Sequence, residues 1–143
     1  MKIMDNLPAI FVVGFLVVGG GAFGYRYFAT PQATAAVNVR VPALSQTGKR
    51  GAAAFAKNCA ACHGVNAAGS DKGPPLVHDI YNPGHHGDGA FVAAVQRGVR
   101  SHHWRFGDMP PRPEVSDAGL RAIIRYIREL QTANGIFYKE HRM

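Results

Sequence analysis

Cys59-Ala60-Ala61-Cys62-His63 is a C-x-x-C-H sequence, and the reading of the whole chain turns on it. Two thiols at this spacing match the attachment site of a c-type haem. Each can form a thioether bond to a haem vinyl group, and the neighbouring imidazole is then available to iron. The chain has only these two cysteines, so none remains for a further disulfide or a four-cysteine zinc site. A redox dithiol or half of a zinc site would also place two cysteines this way. A thioredoxin-like dithiol should sit beside a βαβ pattern, which is absent. The downstream histidine pairs do not supply a second zinc half-site at finger-like spacing.

The chain has 143 residues, room for one small domain and an appendage. Residues 6–25 carry no charge and include the run Ala9-Ile10-Phe11-Val12-Val13-Gly14-Phe15-Leu16-Val17-Val18. As a helix this span is about 30 Å long, the thickness of a bilayer core. Tyr25, Tyr27 and Phe28 at its outer end suit a membrane–water interface. A cleaved signal peptide is the competing reading, but the nearest small-x-small triplet, Ala33-Thr34-Ala35, lies well beyond the apolar run. Residues 1–28 are therefore expected to be a membrane anchor, residues 29–47 a flexible tether, and residues 48–143 the folded domain. Gly20 and Gly24 form one small-xxx-small spacing that could face a partner helix.

From Ala29 onward, four lysines and ten arginines stand against five aspartates and three glutamates, a formal +6. This excess suits docking to an acidic patch on a redox partner or contact with anionic lipid. The basic residues are dispersed and accompany no binding motif, which argues against nucleic acid.

Helices are expected from Gly48 with Thr47 as N-cap, from Asp88 to near Gly98, and from Ser116 or Asp117 to Asn134-Gly135. The last carries Leu120, Ile123, Ile124, Ile127 and Leu130 at helical spacing. Residues 64–87 are rich in Gly, Pro and Asn and read as a long loop wrapped around something. No segment alternates as a strand should. The class is all-α, with three or more helices. About 96 residues is small for a self-sufficient core, so a covalent haem would act as structural filler too.

Four methionines compete for the sixth iron position. Met1 and Met4 precede the apolar run and Met143 ends the chain, which leaves Met109 in Phe106-Gly107-Asp108-Met109-Pro110-Pro111. The prolines stiffen the chain there and restrict Met109 to extended backbone. Core filling is the commoner fate of methionine, and His102 or His103 could take the iron instead. His78, His85, His86 and His141 complete the histidines apart from His63. Paired imidazoles invite zinc or copper, yet adjacent residues rarely point to one centre, so a second metal is not expected. Arg121, Arg125 and Arg128 read as a solvated stripe. Arg100, Arg105 and Arg112 flank the Met109 loop and suit an exposed haem edge or a propionate.

Taken together, residues 48–135 resemble a class I mono-haem cytochrome c. Gly51-x-x-x-Phe55-x-x-x-Cys59 is similar to the family's first helix, whose glycine and aromatic pack on the last helix, here at Tyr126. Gly73-Pro74-Pro75-Leu76 resembles the Gly-Pro-x-Leu turn, which implies that the Pro74 carbonyl accepts a hydrogen bond from His63 Nδ1–H and raises the ring's basicity. Met109-Pro110 resembles the distal-ligand motif. The resemblance implies one covalent haem c on Cys59 and Cys62, with His63 and Met109 as axial ligands. Trp104 departs from the pattern: a propionate-binding tryptophan commonly lies farther upstream of the methionine, so that role is not assigned to it.

Proteins of this kind receive haem outside the bacterial cytoplasmic membrane. The implied place is a single-pass inner-membrane protein with its C-terminal domain in the periplasm. The implied function is one-electron transfer between respiratory or photosynthetic partners, without enzymatic turnover. A fixed haem subunit of a membrane oxidoreductase, or a haem enzyme or gas sensor with an open sixth position, are the alternatives.

Overall fold

The computed structural model describes residues 7–29 and 36–140, and in the first stretch only the side chains of residues 12–25. Met1, Lys2, Met4 and Asp5, the Ala33-Thr34-Ala35 triplet, His141 and Met143 lie outside the described residues, as do the side chains of Arg26, Tyr27 and Phe28. The chain divides into two compact units, Met1–Ala33 and Thr34–Met143.

In the first unit a helix, α1, spans Leu7–Ala29. Val12, Phe15, Leu16, Val17 and Phe23 on it are largely exposed. Among the described residues no helix is long and apolar enough to cross a membrane. The expected span is not established by this helix.

The second unit is helical, and the described residues contain no strand. Its first helix, α2, spans Gln46–Asn58. It starts two residues before the expected Gly48, because Ser45 and not Thr47 is the N-cap: the Ser45 hydroxyl accepts the Gly48 N–H at 3.0 Å. A single turn, α3, follows at Ala60–His63. The long stretch 64–87 contains two short 3-10 turns, Val65–Ala67 and Asp79–Tyr81. Next comes α4 at Asp88–Arg97, capped by Gly87, with Asp88 as its first residue and not its cap. The last helix, α5, spans Asp117–Ala133, with Ser116 as N-cap and Asn134 as C-cap.

Packing of α2 on α5 organises the core. Leu120, Ile123, Ile124, Ile127 and Leu130 are all buried, as their spacing predicts. Gly51 sits where the helices cross. A Cβ there would lie 2.0 Å from the Ala122 carbonyl oxygen and 2.8 Å from Tyr126 Cβ, so only glycine lets the backbones approach this closely. One turn on, Phe55 is buried with its ring centroid 5.7 Å from that of Tyr126. Burying a side chain of that size contributes about 1.5–3 kcal/mol. The Tyr126 hydroxyl donates to Asn66 Oδ1 at 3.1 Å and so ties α5 to the loop after α3.

The stretch expected as a tether has no helix over residues 36–45, yet it lies on the domain. Val37, Val39 and Leu44 pack against the core. The Arg40 amide donates to Asn134 Oδ1 at 2.9 Å, its Nε donates to the Ala133 carbonyl at 3.0 Å, and Asn134 Nδ2 returns a bond to the Arg40 carbonyl at 2.8 Å. These bonds satisfy polar groups at the C-terminus of α5 that the helix leaves open.

Candidate functional site

The C-x-x-C-H segment is delivered by the end of α2 and folded by α3. The Cys59 amide still donates to the Phe55 carbonyl at 2.8 Å. The amides of Cys62 and His63 then both turn back to the Cys59 carbonyl, at 3.1 and 2.9 Å. The segment is thus one continuous helical path with a break in direction at Cys59. Cys59 is half-buried and Cys62 exposed. Burial pushes the Cys59 thiol up to about 11, against a smaller opposing pull from Arg112.

His63 is half-buried, and its Nδ1 lies 2.9 Å from the Pro74 carbonyl oxygen. A carbonyl only accepts, so the contact puts the proton on Nδ1 and leaves the lone pair on Nε2. Burial holds the ring below its ordinary pKa; the Pro74 bond works the other way and Arg112 adds to the lowering. The neutral imidazole is the form that binds a metal ion.

Met109 is placed by backbone pairing. It forms an isolated antiparallel bridge with Val99, with both N–H to carbonyl bonds at 2.9 Å. The turn into this bridge needs Gly98, whose φ is +77° and whose added Cβ would meet the Met109 carbonyl oxygen at 2.5 Å. The Met109 side chain packs against Val95, Leu120 and Ile124. Just beyond, Arg112 closes the loop on the other helix: its amide donates to the Val95 carbonyl at 2.7 Å and its Nη2 to the Asn58 carbonyl at 2.9 Å. A cation at the last carbonyls of α2 is also favoured by the helix dipole.

These elements surround one cavity of about 590 Å³, lined by Cys59, Cys62, His63, Pro74 and Met109 and by apolar side chains such as Phe91 and Ile127. That volume falls in the range of cofactor sites, which are mostly apolar with a few placed polar groups. Trp104 also lines it, with its Nε1–H buried and the Tyr81 hydroxyl as its polar neighbour. The size, the apolar lining and the donor set of two thiols and a neutral imidazole all fit a haem.

A family model for cytochrome c matches residues 48–131. The chain belongs to the cytochrome c family. No curated protein matches the chain, and no solved structure does. The family binds covalently attached haem c and serves haem-based electron transfer, and Cys59, Cys62 and His63 are positioned for it. Cytochrome c domains are commonly found outside the cytoplasm.

Several residues gain a place in this cytochrome that spacing did not suggest. Arg128, read as part of a solvated stripe, is half-buried. Its Nε donates to Asp88 at 2.8 Å, Nη1 to the Tyr81 carbonyl at 2.8 Å and to Gln131 Oε1 at 2.6 Å, and Nη2 to the His86 carbonyl at 2.6 Å. Buried Gln131 donates to the carbonyls of Leu76 and Tyr81, at 2.8 and 3.0 Å. A signal was present, since Arg128 stands four residues after Ile124 and so borders the apolar face. Arg100 and Arg112 line the cavity and Arg105 does not. His86, His102 and His103 line it as well, so the cavity alone does not rank them against Met109. Burial first, and then neighbouring imidazoles, hold His103 below the ordinary histidine pKa. Burial is also the main cause of the same shift in His86, with the Ile80 carbonyl opposing it.

Proposed function

We propose that this chain is a class I mono-haem cytochrome c, tethered to the bacterial inner membrane by its N-terminal helix and carrying single electrons between redox proteins in the periplasm. His63 and Met109 would hold the haem iron in this reading. The observation that carries it is that His63 and Met109 line the same apolar cavity as the two attachment cysteines, His63 oriented by the Pro74 carbonyl and Met109 held by its backbone bridge to Val99.

Bound haem supplies a one-electron Fe(III)/Fe(II) couple, which histidine and methionine ligation together set toward high potential. The chain's own residues do the rest. The Pro74 carbonyl orients the His63 ring and leaves Nε2 as its basic atom. The bridge to Val99 and the following prolines hold the Met109 thioether in place. Phe91, Val95, Leu120 and Ile127 exclude water, which limits reorganisation around the metal. With both His63 and Met109 holding the iron, no position on it would remain for a substrate. Arg100 and Arg112 put positive charge at the cavity wall, and the overall basic excess suits a partner with an acidic docking surface. The uncharged residues 6–25 and the 23-residue helix Leu7–Ala29 support the tether.

Replacing Met109 tests this reading. Met109→Ala should leave the haem attached, open a coordination position to water or an added ligand, and lower the reduction potential as thioether stabilisation of Fe(II) is lost. Spectroelectrochemistry reads all three outcomes. An unchanged ferric spectrum and potential in Met109→Ala would place the ligand elsewhere, with His102 and His103 next to be replaced.

A further inference from the structure

Two pairs of adjacent histidines come from different loops. His85 and His86 follow the 3-10 turn Asp79–Tyr81, and His102 and His103 lie in the loop that leads to Met109. Neighbours in sequence seldom converge, but here the backbone turn makes them do so. The Asn82 carbonyl accepts the amides of both His85 and His86, at 3.1 and 2.9 Å, and Asn82 Oδ1 accepts the Gly84 amide at 2.9 Å. Asn82 is itself buried. Both imidazoles therefore rise from one tight turn on the same side, with ring centroids 4.4 Å apart. The two Nδ1 atoms stand 2.9 Å apart, and the Ile80 carbonyl oxygen lies 3.0 Å from His85 Nδ1 and 2.8 Å from His86 Nδ1.

From the other loop the His103 ring comes to 5.1 Å from His85 and 5.2 Å from His86, centroid to centroid. One ring nitrogen from each of His85, His86 and His103 lies within 4.8 Å of the others. Three imidazole nitrogens on one tetrahedral zinc-sized ion stand about 3.4 Å apart, at metal–nitrogen distances of about 2.0–2.1 Å. Side-chain adjustments of roughly an ångström would close this set on an ion, and His103, exposed on its loop, is free to turn. His102, with its ring 4.3 Å from His103, stands next to the group as a further donor. With Nε2 of His85 and His86 on the ion, the Ile80 carbonyl at Nδ1 would be the outer support that metal-bound histidines usually have.

We propose that His85, His86 and His103 form a second metal site, apart from the haem iron, that takes one divalent ion of the zinc or copper type. The donor chemistry selects this class. An all-imidazole set without carboxylate suits Zn²⁺ or Cu²⁺ and is poor for Ca²⁺ or Mg²⁺. Because His86 and His103 also line the haem cavity, the ion would stand beside the haem. Its positive charge favours the reduced iron, and linkage requires that reduction of the iron tighten the ion in turn. The site rests on the reading that Met109, and not His103, holds the iron.

The test uses the full-length, haem-loaded protein dialysed against ZnCl2 and, separately, CuCl2, with bound metal counted by elemental analysis. One equivalent beyond iron is expected, together with a rise in haem reduction potential on loading. His85→Asn, outside the haem cavity, should bind at least about tenfold more weakly with the ferric spectrum unchanged. His103→Ala should lose the ion as well. No second equivalent in the wild-type protein, or undiminished binding in His85→Asn and His103→Ala, would overturn the site and leave the haem reading intact. A changed ferric spectrum in His103→Ala would assign that side chain to iron and end both readings.

Discussion

The two sides of the haem cavity are built by different means. The Cys59–His63 side stands on the end of α2, with Phe55 beneath it and the α2–α5 crossing behind it. Its amides are spent within one helical path, and its histidine is oriented by a neighbouring carbonyl. The Met109 side is a loop whose residues 100–103 are exposed and which is closed by one bridge to Val99, one glycine turn, a bond from the Ser101 amide to Asp108, the contact of Trp104 with His78 and the Arg112 contacts. The first side inherits the stability of the core. The second can shift without unfolding the domain, so potential and ligand access should be set there while attachment is secured on the other side.

The sharpest way to break this contrast is to remove the foundation of the first side. Gly51→Leu forces a side chain into the Ala122 carbonyl and Tyr126. It should cost about 3 kcal/mol or more and leave little folded domain, as read by circular dichroism and urea denaturation. A folded Gly51→Leu protein of near wild-type stability would show that the helix crossing does not underlie the attachment side.

A smaller and more selective effect is expected on the other side. Gly98→Val places a β-branched residue at φ +77° and a Cβ against the Met109 carbonyl. Strain of about 1–3 kcal/mol should displace the loop. The haem should remain covalently bound, with a lowered potential and faster uptake of an added ligand such as imidazole. Loss of haem attachment in Gly98→Val would mean that the two sides are not independent.

Two milder changes sharpen the picture of the helical side. Glu129 is pushed up by burial but pulled further down by the Ser45 hydroxyl and amide and by Arg125, so its carboxyl lies below its ordinary 4.5. A depressed carboxyl stabilises the fold above its unfolded pKa and loses that contribution as pH falls through the folded value. Urea midpoints of wild type and Glu129→Gln should therefore differ most near pH 7 and converge as pH drops below about 4.5. A gap that is constant with pH would exclude the carboxylate as its source. Ser45→Ala removes both the α2 cap and the 2.6 Å bond to Glu129. It should cost about 1 kcal/mol, with the haem spectrum unchanged.

Much of this was legible in the chain because the signals are local. The C-x-x-C-H spacing names its chemistry within five residues, and the apolar period of α5 needs only a helix to become a buried face. Gly51 and Phe55 are legible for the same reason, since a helix places them on one side, one turn apart. Other features depend on pairs far apart in sequence. Spacing could not show that residues 36–45 lie on the end of α5, because the bonds of Arg40 to Asn134 and Ala133 cross more than ninety residues. Nor could it show that Arg128 turns inward, which follows from the Tyr81 and His86 carbonyls that the loop 76–87 brings against α5.

By itself the sequence determined the three longer helices of the domain, the attachment motif and the family, because each rests on periodicities and spacings shorter than a few helical turns. Only the tertiary structure decided which loops face the cavity, how a bridge to Val99 sets Met109, and that two separate histidine pairs meet. Those outcomes depend on where the chain returns after long irregular stretches, and that is set by packing and by the pairing of buried polar groups, which no local pattern records.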